Sequence, residues 1–226
     1  PHLAASVAVH LVYFALLVVA YRSADLSLVY PIARGLPPLL VAVGAQIFIG
    51  ERPTPVGALG VVCIATGVLM VGFAVKTKEG EDGRPRARSI GLAALTAVFI
   101  GGYTLIDGTG VREAGGTLSY VVWLTALEGT LFALGALAVG GRSLARDVWA
   151  RKGVAALTGV MSAGGYAIVL FAMEDSPIAL VAALRETAVI FAAIIGCAIL
   201  KEPFGPRRIA AAAVVAAGAV LVRLGG

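Results

Sequence analysis

Polar residues in this chain are confined to short stretches between long apolar runs. Eight such runs, at residues 3–22, 26–50, 56–75, 89–107, 118–140, 153–173, 177–200 and 206–224, each come near the roughly 20 residues a helix needs to cross a bilayer. The pattern predicts an all-α membrane protein, a polytopic bundle of about eight transmembrane helices. Connections are short except at Lys76–Arg88 and Gly141–Lys152. The first, KTKEGEDGRPRAR, is polar and carries Gly and Pro, so residues 76–88 are expected to link residues 1–75 to residues 89–226. Asp25 is placed to cap the second run, and Ser176 before Pro177 suits the start of the seventh.

The second run breaks the pattern. It carries Arg34 near its middle, with Pro31, Pro37 and Pro38 around it. Pro37 and Pro38 have no N–H, so the carbonyls of Ala33 and Arg34 lose their helical partners. Backbone groups freed in this way are tolerated in a membrane only where they face protein or a wet cavity.

Composition agrees with the pattern. Hydrophobic residues make up 59% of the 226 and charged residues only 14%, with a mean hydropathy of +0.95. A soluble domain carries about a quarter charged residues. The net charge of +5 lies mainly in loops, which is a topology signal and argues against a nucleic-acid partner. Cys63 and Cys197 both fall in apolar runs, so no disulfide or metal framework is indicated. HExxH and GxSxG are absent, and His2 and His10 are the chain's two histidines. Neither an enzyme nor a bound cofactor is expected. No charged leader with a cleavage site precedes Leu3.

Displacing the chain by 151 residues lays Arg34 on Arg185, Glu51 on Glu202 and Gly67 on Gly218. The first three runs then overlie the last three, and the fourth and fifth have no counterpart. On this offset two helices are expected to precede Pro1, giving two repeats of five. Five is odd, so the second copy is inverted, the plan of many carriers.

The run ending in IGERPTP, and again in LKEPFGP, is each time followed by a Gly/Ala-rich helix, GALGVVCIATGVLMVG or AAAVVAAGAVLVRLG. This arrangement resembles the EamA repeat of the drug/metabolite transporter superfamily, with the first repeat lacking two helices. The resemblance implies a ten-helix secondary carrier, often an exporter of amino acids, other metabolites or drugs, in the bacterial cell membrane. DLSLVYPIARG also resembles a subgroup associated with phosphonate use. Of the 18 Lys and Arg, two (Arg34 and Arg185) lie well inside runs, 13 fall on one face, and three (Arg52, Arg112 and Arg223) fall on the other. That bias places the Lys76–Arg88 and Gly141–Lys152 connections in the cytoplasm and the C-terminus outside. Family members are commonly drawn with a cytoplasmic C-terminus, which disagrees.

Four charged residues lie well inside runs: Arg34, Glu128, Arg185 and Glu186. Each costs on the order of 2.5–3.5 kcal/mol alone at mid-bilayer. They sum to zero, so one reading has Glu128 and Glu186 neutralising the two arginines structurally. The other has Arg34 and Arg185 gripping an anionic substrate, since a guanidinium fork holds a carboxylate or phosphonate in two places. Tyr30 shares the Arg34 face and is a substrate contact on this reading. Tyr166, after Gly164–Gly165, is a second. Glu128 is the candidate proton carrier. His10 reads as a core histidine, Asp107 as a run-end residue meeting water, and Glu51 and Glu202 as caps or gate elements. No proline pair follows Arg185, so the seventh run is expected to be the more regular helix. The expected partners are the lipid bilayer and a small-molecule substrate, with protons as candidate coupling ion and a second copy of the chain as candidate partner. A membrane scaffold or intramembrane enzyme is the alternative.

Overall fold

The computed structural model describes residues 1–23, 26–73, 86–191, 194 and 206–225. Among these residues no strand occurs. The helices are α1 (His2–Ser23), α2 (Leu26–Gly35), α3 (Pro37–Gly44), α4 (Pro55–Phe73), α5 (Arg86–Glu113), α6 (Thr117–Ala150), α7 (Lys152–Asp175), α8 (Ile178–Arg185) and α9 (Pro206–Leu224). Among the described residues, five spans are long and apolar enough to cross a membrane. Asp25, Cys197, Glu202 and most of the 76–88 connection lie outside the described residues, although Arg86–Arg88 already belong to α5.

The chain forms two units. One comprises Val12–Leu105 and Ser176–Gly226. Here α2 and α3 meet at Leu36, where Pro37 and Pro38 supply no N–H. The Leu36 N–H still reaches the Ile32 carbonyl at 3.2 Å, and bonding resumes with Leu39 and Leu40 donating to Leu36 O at 3.1 Å. A π-helical turn, Ala45–Ile49, follows α3 and ends at Gly50, whose φ of 79° needs glycine. Glu51 comes next, and its Oε2 accepts the Ile178 N–H at 2.9 Å. Glu51 is therefore a cap, but for the start of α8 rather than for its own turn.

The seventh run departs from expectation. Its helix stops at Arg185 and restarts at Ala188, with Glu186–Thr187 in a turn and no proline nearby. The Glu186 N–H bonds Ala183 O at 3.0 Å and the Thr187 N–H bonds Leu184 O at 3.0 Å, a tightening to i→i+3 bonds. Thr187 is Leu36 displaced by 151 residues, so both arginine-bearing helices break at matching positions.

Pairing of α4 with α9 depends on small residues. A Cβ added at Gly60 would stand 2.6 Å from Val222 N, and one at Gly67 would stand 2.4 Å from Val215 Cγ2. Close backbone approach of this kind replaces the hydrophobic drive that lipid removes. Val61, Ile64, Val68, Val215 and Val222 fill the contact, together with Leu180 and Ala183 of α8.

The other unit comprises Pro1–Leu11 and Ile106–Asp175. α5 and α6 are joined by a short turn with Gly115 at φ 67°. α6 is not one rod: Gly141, at φ 58° and ψ −153°, divides it. The Gly141–Lys152 connection read from the sequence is thus largely a separate helical segment. Val122, Leu134, Val139, Val160, Met161 and Ile168 point outward. Such a breadth of exposed apolar surface suits lipid, not water.

Candidate functional site

Each unit buries one group of ionisable residues. In the unit holding Val12–Leu105 and Ser176–Gly226, the group sits at the two helix breaks. Arg34, in the last turn of α2, places Nε 3.1 Å from Glu186 Oε2, and Arg185 Nε lies 3.2 Å from Glu186 Oε1. One carboxylate thus faces two guanidiniums. Glu186 is fully buried, whereas the Arg34 and Arg185 side chains are 27% and 12% exposed. The two contacts differ in kind. Arg185 Nε–H donates a hydrogen bond to Glu186 Oε1. Arg34 Nε and Glu186 Oε2 face each other without hydrogen-bond alignment, so that contact is purely an ion pair. Tyr30 stands one turn before Arg34, exposed and outside this triad.

In the unit holding Pro1–Leu11 and Ile106–Asp175, helices α1, α5, α6 and α7 share a buried polar network. His10 Nδ1 lies 2.7 Å from Glu128 Oε1 and 3.1 Å from Ser6 O. Ser6 Oγ lies 3.1 Å from the same nitrogen, and Glu128 Oε1 faces it without hydrogen-bond alignment. Asp107, with no exposure, accepts from the Tyr120 hydroxyl at 2.8 Å and from the Tyr166 hydroxyl at 2.5 Å. The rings of His10 and Tyr166 meet edge to face at 5.9 Å. Gly110 makes the network possible, because a Cβ there would stand 2.6 Å from the Tyr120 hydroxyl. Tyr120 also lines a cavity of about 280 Å³ with His2, Gly110, Glu113, Ser119 and Trp123.

Of the residues singled out in the sequence, Arg34, Arg185 and Glu186 come together in one group, and Glu128 and Tyr166 share the other. Glu128 pairs with His10, so the expected neutralisation of an arginine by Glu128 is replaced by Glu186 serving both arginines. Asp107 does not meet water: α5 runs on to Glu113 and buries it. His10, Asp107 and Tyr120 are the members sequence reasoning underrated. The usable signal was an ionisable residue inside an apolar run, which His10 satisfies.

Apolar helices of spanning length, one of them (Val29–Ile49) interrupted beside buried charge, define a polytopic helical membrane protein. A family model for the EamA-like transporter family matches residues 87–224, more than half of the chain, and the chain belongs to that family. It is thus a membrane transporter of the drug/metabolite transporter superfamily and not an enzyme. A solved crystal structure of another protein is similar at 19% sequence identity with a TM-score of 0.70, over 99% of this chain and 74% of that one. At that identity the likeness concerns the fold alone. Among curated proteins no sequence matches this chain.

Proposed function

We propose that the protein is a secondary carrier that exports or exchanges small anionic or zwitterionic metabolites by alternating access. The observation carrying this reading is the shared carboxylate: Glu186 stands between two guanidiniums at two matched helix breaks. A substrate carboxylate, phosphate or phosphonate takes the place of Glu186 at Arg34, where the existing contact lacks alignment and the guanidinium is most exposed. Arg185 keeps its hydrogen bond and holds Glu186 aside. Arginine suits the task because its fork grips such groups at two points. The inverted repeat supplies the two related arms, and their breaks at matching positions make both arms the moving parts. Protons are the coupling ion on this reading, carried by Glu128 with His10 as its partner.

A thermal-shift screen of the solubilised protein against carboxylates, inorganic phosphate and phosphonates tests the site. A ligand that binds only the folded state raises apparent stability by mass action. Arg34→Ala is expected to abolish the shift while the ligand-free variant remains extractable and helical. A shift that persists in Arg34→Ala overturns the assignment. Loss of folding in Arg34→Ala instead assigns the triad a structural role.

A further inference from the structure

Gly141 cuts α6, so the nine residues Arg142–Ala150 form a helical segment of their own. The Ser143 hydroxyl donates to Gly140 O at 2.9 Å, satisfying one carbonyl that the cut releases. At 3.6 residues per turn, Leu144, Ala145, Val148 and Trp149 fall within an arc of about 140°. Arg142, Ser143, Arg146 and Asp147 take the remaining face. Val148 is 51% and Trp149 72% exposed. Lys152 Nζ lies 4.8 Å from the centroid of the Trp149 ring. From Arg142 to Lys152 the cations are Arg142, Arg146, Arg151 and Lys152, against Asp147 alone. The apolar run before the cut, 118–140, contains no basic residue.

We infer that the Arg142–Ala150 segment, with Arg151 and Lys152 at its end, is an interfacial helix that binds anionic lipid headgroups. A solvated loop obeying the usual loop-charge bias accounts for four cations, but not for an exposed apolar arc carrying tryptophan beside them. At the bilayer boundary both faces are satisfied: Val148 and Trp149 enter the upper acyl layer, and the cations meet phosphate oxygens. Gly141 supplies the turn that lets a spanning helix continue along the surface. Lipid phosphodiesters are the occupant because this segment directly continues a membrane span and presents its charge at that span's end. The inference is independent of the carrier reading.

The test uses the full chain with Trp123→Phe, so that Trp149 is the remaining tryptophan, in nanodiscs of phosphatidylcholine with or without phosphatidylglycerol. Trp149 emission should be quenched strongly by lipids brominated high on the acyl chain, weakly by deeply brominated lipids, and little by aqueous iodide. Each basic residue contributes roughly a fivefold preference at an anionic surface before screening. Native mass spectrometry should therefore find phosphatidylglycerol retained over phosphatidylcholine on the order of tenfold. The variant Arg142→Gln/Arg146→Gln/Arg151→Gln/Lys152→Gln should bring that ratio close to one. Free access of iodide to Trp149, or an unchanged ratio in the variant, overturns the inference. The quenching experiment keeps the native charges and so decides the matter even where the fourfold variant is not recovered.

Discussion

Asp107 is the residue whose surroundings leave least room for change. It is fully buried and receives two phenol hydroxyls, from α6 and α7. Tyr120→Phe or Tyr166→Phe alone removes one donor, at a cost of about 1–3 kcal/mol. The double variant should cost more than the sum, because a buried carboxylate then loses both donors in one network. Unfolding in mixed micelles measures all three, and simple additivity would show that neither phenol is important to the other. The sequence places Asp107 at the end of its apolar run because GTGVRE, the next six residues, is not apolar on average, although α5 continues through it. His10 was equally hard to read. Its partner Glu128 is 118 positions away, and no local spacing links the two. The Arg34–Glu186–Arg185 group was half legible: the four charges summed to zero, but only folding decides that one glutamate serves both arginines.

At the scale of elements, breaks caused by covalent chemistry were readable and breaks caused by packing were not. Pro37 and Pro38 announce the interruption at Leu36 through their missing donors. The interruption at Glu186–Thr187 has no proline, and only the 151-residue offset aligns it with Leu36. The division of α6 falls at Gly141, where the fifth apolar run already ended in the sequence; that the connection after it is itself helical was not readable. Glycines can be ranked by what they face. Gly60→Ala drives a methyl into the backbone of α9, with Val222 N at 2.6 Å and Gly218 O at 2.8 Å. Helix α9 must move away, and overpacking of this kind costs typically about 1–3 kcal/mol. Gly159→Ala on α7 meets nothing within 4 Å, so it should be neutral, or stabilise by up to about 1 kcal/mol through helix propensity. Thermal denaturation of the two variants side by side is the check. Equal effects would refute the close α4–α9 contact.

For the molecule as a whole, eight apolar runs foretold an all-helical membrane protein because burial in lipid imposes one rule on every residue of a span. Which side each loop faces is a weaker deduction, resting on 13 basic residues against three. The fifth span offers a direct test. Residues 117–140 of α6, before the cut at Gly141, extend about 36 Å at 1.5 Å per residue, enough for a hydrocarbon core of about 30 Å. The turn before α6 and the basic segment after it must then lie on opposite sides. Ala114 and Ser143 are both exposed and serve as reporters. With Cys63 and Cys197 replaced by serine, Ala114→Cys should react with a membrane-impermeant maleimide in intact cells. Ser143→Cys should react only after permeabilisation, because the loop-charge bias puts Arg142–Lys152 in the cytoplasm. Reversed labelling would keep the span and invert the protein, placing the C-terminus inside. Labelling of both positions from one side would remove α6 from the set of spanning helices.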